Sequence, residues 1–258
     1  MKPASLLKDD KGEELTAVDT LKALMDSHCP GSEDTEKIVR TGPGTSKPIE
    51  EIKKGAEFVT EKIVKKAIKE FSNGKAPGLD NITPSIMKVL PGNTIKRLTT
   101  IMKACISLGH TPKLWREGKI SFLVKPGKKD LSEPRAYRPI TLASFLQKTL
   151  ERIVVWELET SVLKENPLHE NQHAFTIGRS CDSALSQTVD LIEKGLNRGE
   201  YVIGIFLDIR GAFDNVNPEE ATKALKERRF PEWFTTWYGH YIKNRQVRAN
   251  FCDEVGSN

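Results

Sequence analysis

The 258-residue sequence has no apolar run approaching the roughly 20 residues that a membrane-spanning helix requires. Its first residues, MKPASLLKDDKGEE, lack the apolar centre of a signal peptide, so the chain is expected to stay inside the cell, without contact to a membrane. Cysteine is scarce: Cys29, Cys105, Cys181 and Cys252 stand far apart, with no C-x-x-C pair and no histidine at zinc-finger spacing. They are read as reduced thiols. Neither G-x-x-x-x-G-K-[ST] nor G-x-G-x-x-G occurs, which removes the common nucleotide cradles, and without G-x-S-x-G an acyl-transfer triad has no anchor. Nor does any segment repeat at a period of about 20 to 50 residues.

What the chain does have is charge, unevenly placed. The net value of +5 is mild, but ten Lys/Arg face four Asp/Glu between Thr111 and Arg152, leaving the remainder slightly acidic. Such a segment suits a polyanion and would make nucleic-acid binding salt-dependent; a solvated, lysine-rich face is the alternative.

Residues 1–56 are polar and turn-rich, with CPGSEDTEK and RTGPGTSKP as loops, and are expected to hold short helices and linker. From Phe58 to Phe71, Val59, Ile63, Ala67 and Ile68 share one helical face, which SNGKAPG interrupts. A second helix is expected from Thr94 to Leu108, where Gly109 and Pro112 stop it. Lys119 to Pro126 reads as a strand, and GKKDLSEPRAY as a basic turn. A long helix follows the cap Ser144, with Leu146, Leu150, Ile153, Val154 and Leu158 at helical spacing; Ser180 caps another. YVIGIFL, Tyr201 to Leu207, is apolar at nearly every position and is expected as a buried strand. Asn217, Pro218 and Glu220 form a helix start of cap, N1 proline and N3 acid. This order indicates a mixed α/β protein.

Asp208 ends the apolar run, where metal-dependent enzymes often place a ligand; beginning and capping the turn DIRGAFD is its other reading. A single carboxylate cannot hold two Mg²⁺ ions about 4 Å apart. Asp214 is expected to turn the chain toward Asn217, and the Asp9–Asp10 pair is too polar and peripheral to be a second metal strand. HENQH, His169 to His173, matches H-E-x-x-H with Glu193 as a third zinc ligand. Asn166–Pro167 before it and TIGRS after it leave room for only a turn or two of helix, with few apolar residues around it, which counts against that site.

Five blocks stand in order: NGKAPGLDNITP (73–84), WREGKISFLVKPGK (115–128), YRPITLASFLQKTLERIV (137–154), NQHAFTIGRSCDSAL (171–185) and FLDIRGAFDNV (206–216). Together they resemble the reverse transcriptase of non-LTR retrotransposons, closest to the jockey-like type of arthropods, from about residue 55 to the end. The resemblance implies a right-hand polymerase of α/β (α+β) class: a leader at 1–56, fingers at 57–199, and at 200–258 the first part of a palm.

By the same resemblance, Asp208 is the first catalytic aspartate and binds both Mg²⁺ ions. The Ile209 backbone seats phosphates, and Phe213 excludes a ribose 2′-hydroxyl, ordinary packing under the turn being its alternative. Arg138 grips the incoming dNTP triphosphate. Lys125 and Arg135 are looser assignments to template or phosphate. Gly178 and Arg179 lie near template and nucleotide, with Thr176 where many relatives carry arginine. HENQH becomes the lead-in to that block. The implied partners are an RNA template, a DNA primer and dNTP, and the implied compartment is the nucleus. In this family a Gly-x-Pro-Gln-Gly block and an aromatic-Ala-Asp-Asp hairpin follow VRANF. The remaining carboxylates and the thumb are thus expected beyond Asn258, and the chain alone is expected not to polymerise. A nucleic-acid-binding fragment and a relic without function are the alternatives.

Overall fold

The computed structural model describes residues 6–30, 56–209, 211–213 and 215–249. Along the chain these form α1 (Ala17–His28), α2 (Glu61–Lys69), α3 (Pro84–Lys88), α4 (Gly92–Ser107), α5 (Lys113–Arg116), β1 (Glu117–Val124), a 3₁₀ turn (Pro134–Ala136), β2 (Tyr137–Ala143), α6 (Phe145–Thr160), α7 (Val162–Glu165), α8 (Cys181–Asn197), α9 (Pro218–Glu227), α10 (Glu232–Lys243) and β3 (Gln246–Ala249). The mixture of helix and a small mixed sheet agrees with the expected α/β class. Two compact units are present: the described residues of Met1–Trp156 with Gly211–Asn258, and those of Glu157–Arg210.

In the first unit, α2 begins where the Thr60 hydroxyl accepts the Ile63 N–H, and it buries Val64, Ala67 and Ile68, with Val59 buried just ahead of it. That stripe packs on α3 and α4, and α4 packs on α10. From α6, Leu150, Ile153 and Val154 are buried, as the 3.6-residue spacing requires. Arg152 reaches back to α2. Its guanidinium donates to the Ala67 carbonyl at 3.0 Å and lies 4.0 Å above the Phe71 ring. This satisfies a backbone acceptor in the last turn of α2, which the helix cannot satisfy itself.

The sheet has the order β2–β1–β3. β1 and β2 are antiparallel, with Gly118 opposite Ala143 and Val124 opposite Tyr137, whereas β3 runs parallel to β1, with Lys119 opposite Arg248. One face of the hairpin is covered from the N-terminal side. Leu7 and Leu24 are buried with Ala136 and Tyr137, and Leu15, Phe122 and Leu131 pack against them. His28 Nε2 lies 3.0 Å from the Pro134 carbonyl, and the Lys8 N–H donates to Ser132.

The second unit centres on α8, whose capping box joins Ser180 and Ser183. It ends in a Schellman arrangement: the Gly199 N–H donates to Leu196 and the Glu200 N–H to Gly195, with Gly199 at φ 74°. Here the expectation for YVIGIFL fails. Residues 201–207 form no strand; Ile205 is 79% exposed and Phe206 93%. An apolar run becomes a buried strand only if a neighbour accepts its backbone hydrogen bonds, and none of the described strands pairs with it. Val202 alone finds a seat, against Gly195, where a Cβ would come within 2.7 Å of it.

Candidate nucleic-acid interface

Because side chains alternate across a strand, the register divides the sheet into two faces. Gly118, Ile120 and Phe122 share the covered face with Tyr137, Pro139 and Thr141. Lys119, Ser121 and Leu123 share the other with Arg138, Ile140 and Arg248. On this second face Arg138 is exposed opposite Leu123, itself 45% exposed, and Ile140 is 42% exposed. Basic and apolar groups thus interleave on one open surface, within the segment whose charge excess is legible in the sequence.

The hairpin loop extends this surface. The Lys125 N–H donates to the Ala136 carbonyl at 2.8 Å, closing the base of the loop beside Arg135. Asp130 accepts from both the N–H and the hydroxyl of Ser132, which hold its carboxyl below its ordinary range. The Tyr137 hydroxyl ties down the Leu131 carbonyl at 3.0 Å. Lys125, Arg135 and Arg138 are therefore brought together on one ribbon.

At the other end of the ribbon lies Glu117, only 5% exposed although it begins the open face. Its carboxylate meets Lys113 Nζ at 3.6 Å and Arg248 Nη2 at 3.4 Å. Neighbouring Arg116 donates to the carbonyls of Thr111 and Asn244 at 2.9 and 2.8 Å, tying α5 to the C-terminal end of α10. Burial lowers the Arg116 pKa, and the charge of Glu117 opposes that. Sequence reasoning did not single out Glu117, Lys119 or Arg248. The signal available for Lys119 was its even spacing from Leu123 in KISFLVKP.

The second unit holds Gly178, Arg179, Asp208 and Ile209. Gly178 takes φ 73°, and Arg179 turns back on its own loop, donating to the Gln172 carbonyl at 3.4 Å. His173 is engaged at both ring nitrogens, 2.7 Å from Ser183 Oγ and 2.7 Å from Gln187 Oε1. With both nitrogens occupied and no helix beneath HENQH, a zinc site is not built there. Asp208 and Ile209 are exposed on the unpaired segment, and Phe213, 79% exposed, belongs to the first unit. Asp214 lies outside the described residues. Among the described residues, no three His, Cys, Asp or Glu side chains are grouped to hold a metal ion, so these residues do not by themselves fit a two-metal centre.

A profile of the family described as reverse transcriptase (RNA-dependent DNA polymerase) matches residues 125–255, just over half of the chain. The chain belongs to this family. The chain is 35% identical over 194 residues, 75% of its length, to the probable RNA-directed DNA polymerase from transposon X-element of Drosophila melanogaster. It is 31% identical over 186 residues, 72% of its length, to the probable RNA-directed DNA polymerase from transposon BS of the same organism. To the RNA-directed DNA polymerase from mobile element jockey, also of Drosophila melanogaster, it is 30% identical over 174 residues, 67% of its length. These alignments cover 21%, 20% and 19% of the three relatives, so the chain spans about a fifth of their length.

Proposed function

We propose that this chain is a segment of an RNA-directed DNA polymerase of a non-LTR retrotransposon, comprising fingers (57–199) and the first part of a palm (200–258). In the reaction of such a polymerase, the primer 3′-oxygen attacks the α-phosphorus of a dNTP opposite an RNA template, and pyrophosphate leaves. One observation carries the reading: the family match runs through both the basic ribbon of Lys125 and Arg138 and the segment of Asp208. The open basic and apolar face of the sheet supports it independently, since a polyanion needs such a surface.

Within this reading, Arg138 takes the triphosphate through its fork of donors, Lys125 and Arg135 take phosphate or template, and Gly178 and Arg179 lie by template and nucleotide. Asp208 is the first metal carboxylate, the Ile209 backbone seats phosphate, and the Phe213 ring selects against a 2′-hydroxyl. Two Mg²⁺ ions need more carboxylates than Asp208, and the parent protein would supply them. Nuclear action belongs to the same reading.

The test is primer extension on an RNA template with dNTPs and Mg²⁺. A parent polypeptide containing this segment is expected to extend the primer and to lose that activity on Asp208→Asn. The 258-residue chain alone is expected to give no product. Extension by the chain alone, abolished by Asp208→Asn, would refute the division of the metal site. A second reading is favoured by the sheet face: the chain binds RNA or an RNA–DNA hybrid without chemistry. An affinity that barely changes between low and moderate salt would count against it.

A further inference from the structure

We propose that Lys119 and Arg248 form a phosphate seat for single-stranded RNA at the β1–β3 end of the open sheet face, with Glu117 positioning Arg248. The proposal rests on the nucleic-acid reading above and adds residues to it.

The two side chains stand side by side, since Lys119 and Arg248 are register partners on adjacent parallel strands and project to the same face. Strands in a sheet are about 4.8 Å apart, so the register makes these two basic residues close neighbours on that face. Glu117 is the local carboxylate, and it is shared. One oxygen faces Lys113 and the other Arg248, while Arg116 senses the same charge. Three cations therefore share one carboxylate, with Lys119 beside Arg248 on the next strand, and the excess favours an anion from solution.

Glu117 does not exhaust Arg248. The contact is long, 3.4 Å, and uses one guanidinium nitrogen, while the side chain remains 66% exposed. A guanidinium carries five N–H donors in a planar fork, so most of them remain available to a ligand. Glu117 is almost wholly buried and its backbone is fixed in β1, so it anchors one end of that fork. From this seat toward Arg138 the face carries exposed Ile140, and exposed Leu123 stands beside Arg138. From Lys119 to Leu123, Arg138's partner across the ladder, is about 13 Å along the strand. Phosphate contacts at both ends with apolar surface between them suit a flexible single strand, whose bases are free to turn onto it.

Binding of a fluorescein-labelled, mixed-sequence single-stranded RNA to the full chain, measured by anisotropy across a salt series, tests this. Arg248→Ala and Lys119→Ala are each expected to reduce the slope of log K against log salt by about 0.7, the value for one lost phosphate contact on a single strand. Arg248→Lys is expected to keep the slope, and Lys243→Ala on α10 to leave it unchanged. Glu117→Gln reports on positioning through its sign: a purely repulsive carboxylate would give tighter binding when neutralised, whereas a positioning one gives weaker binding. Arg248 is exposed, so its substitution leaves the core intact. Unchanged slopes in both alanine variants, with wild-type binding intact, overturn the seat and leave the nucleic-acid reading standing. Absence of wild-type binding at low salt overturns that reading, and the seat with it.

Discussion

Trp237 donates its indole N–H to the Thr111 hydroxyl at 3.1 Å, and both residues are buried, 126 positions apart in the chain. The bond joins α10 to the turn after α4, and thereby steadies the end of β1 that follows. Thr111→Val keeps the shape and removes the acceptor, leaving a buried N–H unpaired. Unfolding by urea is expected to show a loss of about 1–3 kcal/mol. A change under a few tenths would mean that the indole finds another partner.

Arg152 supports a second prediction. It combines a hydrogen bond to Ala67, a ring contact with Phe71 and a 3.9 Å approach to Glu70. Arg152→Ala is expected to destabilise by about 2 kcal/mol, mostly through the charged hydrogen bond and the ring. Arg152→Lys should recover only part, because an ammonium lacks the planar fork. Full recovery by lysine in a thermal melt would assign the effect to charge alone.

The rings of His110 and His240 lie 4.8 Å apart, and each buries an Nδ1 that has no hydrogen-bond partner among the described residues. Burial lowers the pKa of both, and the Arg116 charge lowers each further; for His240, His110 contributes as well. With folded pKa values below the unfolded value of about 6.5, the unfolded chain binds more protons as pH falls through that region. Stability is therefore complete above about 6.5 and declines toward the depressed folded values. Melting temperatures between neutral and mildly acid pH should fall in the wild type and fall less in His240→Gln. Equal pH profiles would remove the pair as the cause.

The exposed segment from Tyr201 to Ile209 yields a prediction of opposite kind. Its side chains make little contact, so Phe206→Lys should leave the melting temperature unchanged while raising the concentration at which light scattering begins. Amide hydrogens of 201–207, outside any ladder, should exchange early. A lowered melting temperature on Phe206→Lys would show that the ring is buried in solution.

Helical periodicity made α2, α4 and α6 legible, and the capping residues Ser144, Ser180 and Asn217 were readable because each supplies an oxygen to early N–H groups. The structure shows those bonds, from Leu146 to Ser144, Ser183 to Ser180, and Glu219 to Asn217. β2 was hidden by Pro139, which argues against a strand until its position is known. As an edge strand among the described residues, β2 tolerates the missing N–H. YVIGIFL failed in the reverse way: apolar composition states that a segment gains from burial, but says nothing of what is present to bury it. Of the site, the basic ribbon was readable as charge, since Lys125, Arg135 and Arg138 are close in sequence. The Glu117–Arg248 contact spans 131 positions, and no local pattern encodes it.

The seat of α1 on the hairpin has a consequence for how the chain is made. His28 and Pro134 are 106 residues apart, so α1 leaves the ribosome long before the strands that cover Leu7 and Leu24 exist. At about 5–20 residues per second, that interval is on the order of ten seconds. Throughout it the apolar stripe of α1 lacks the hairpin that buries it, and the docking of α1 becomes a late step of biosynthesis.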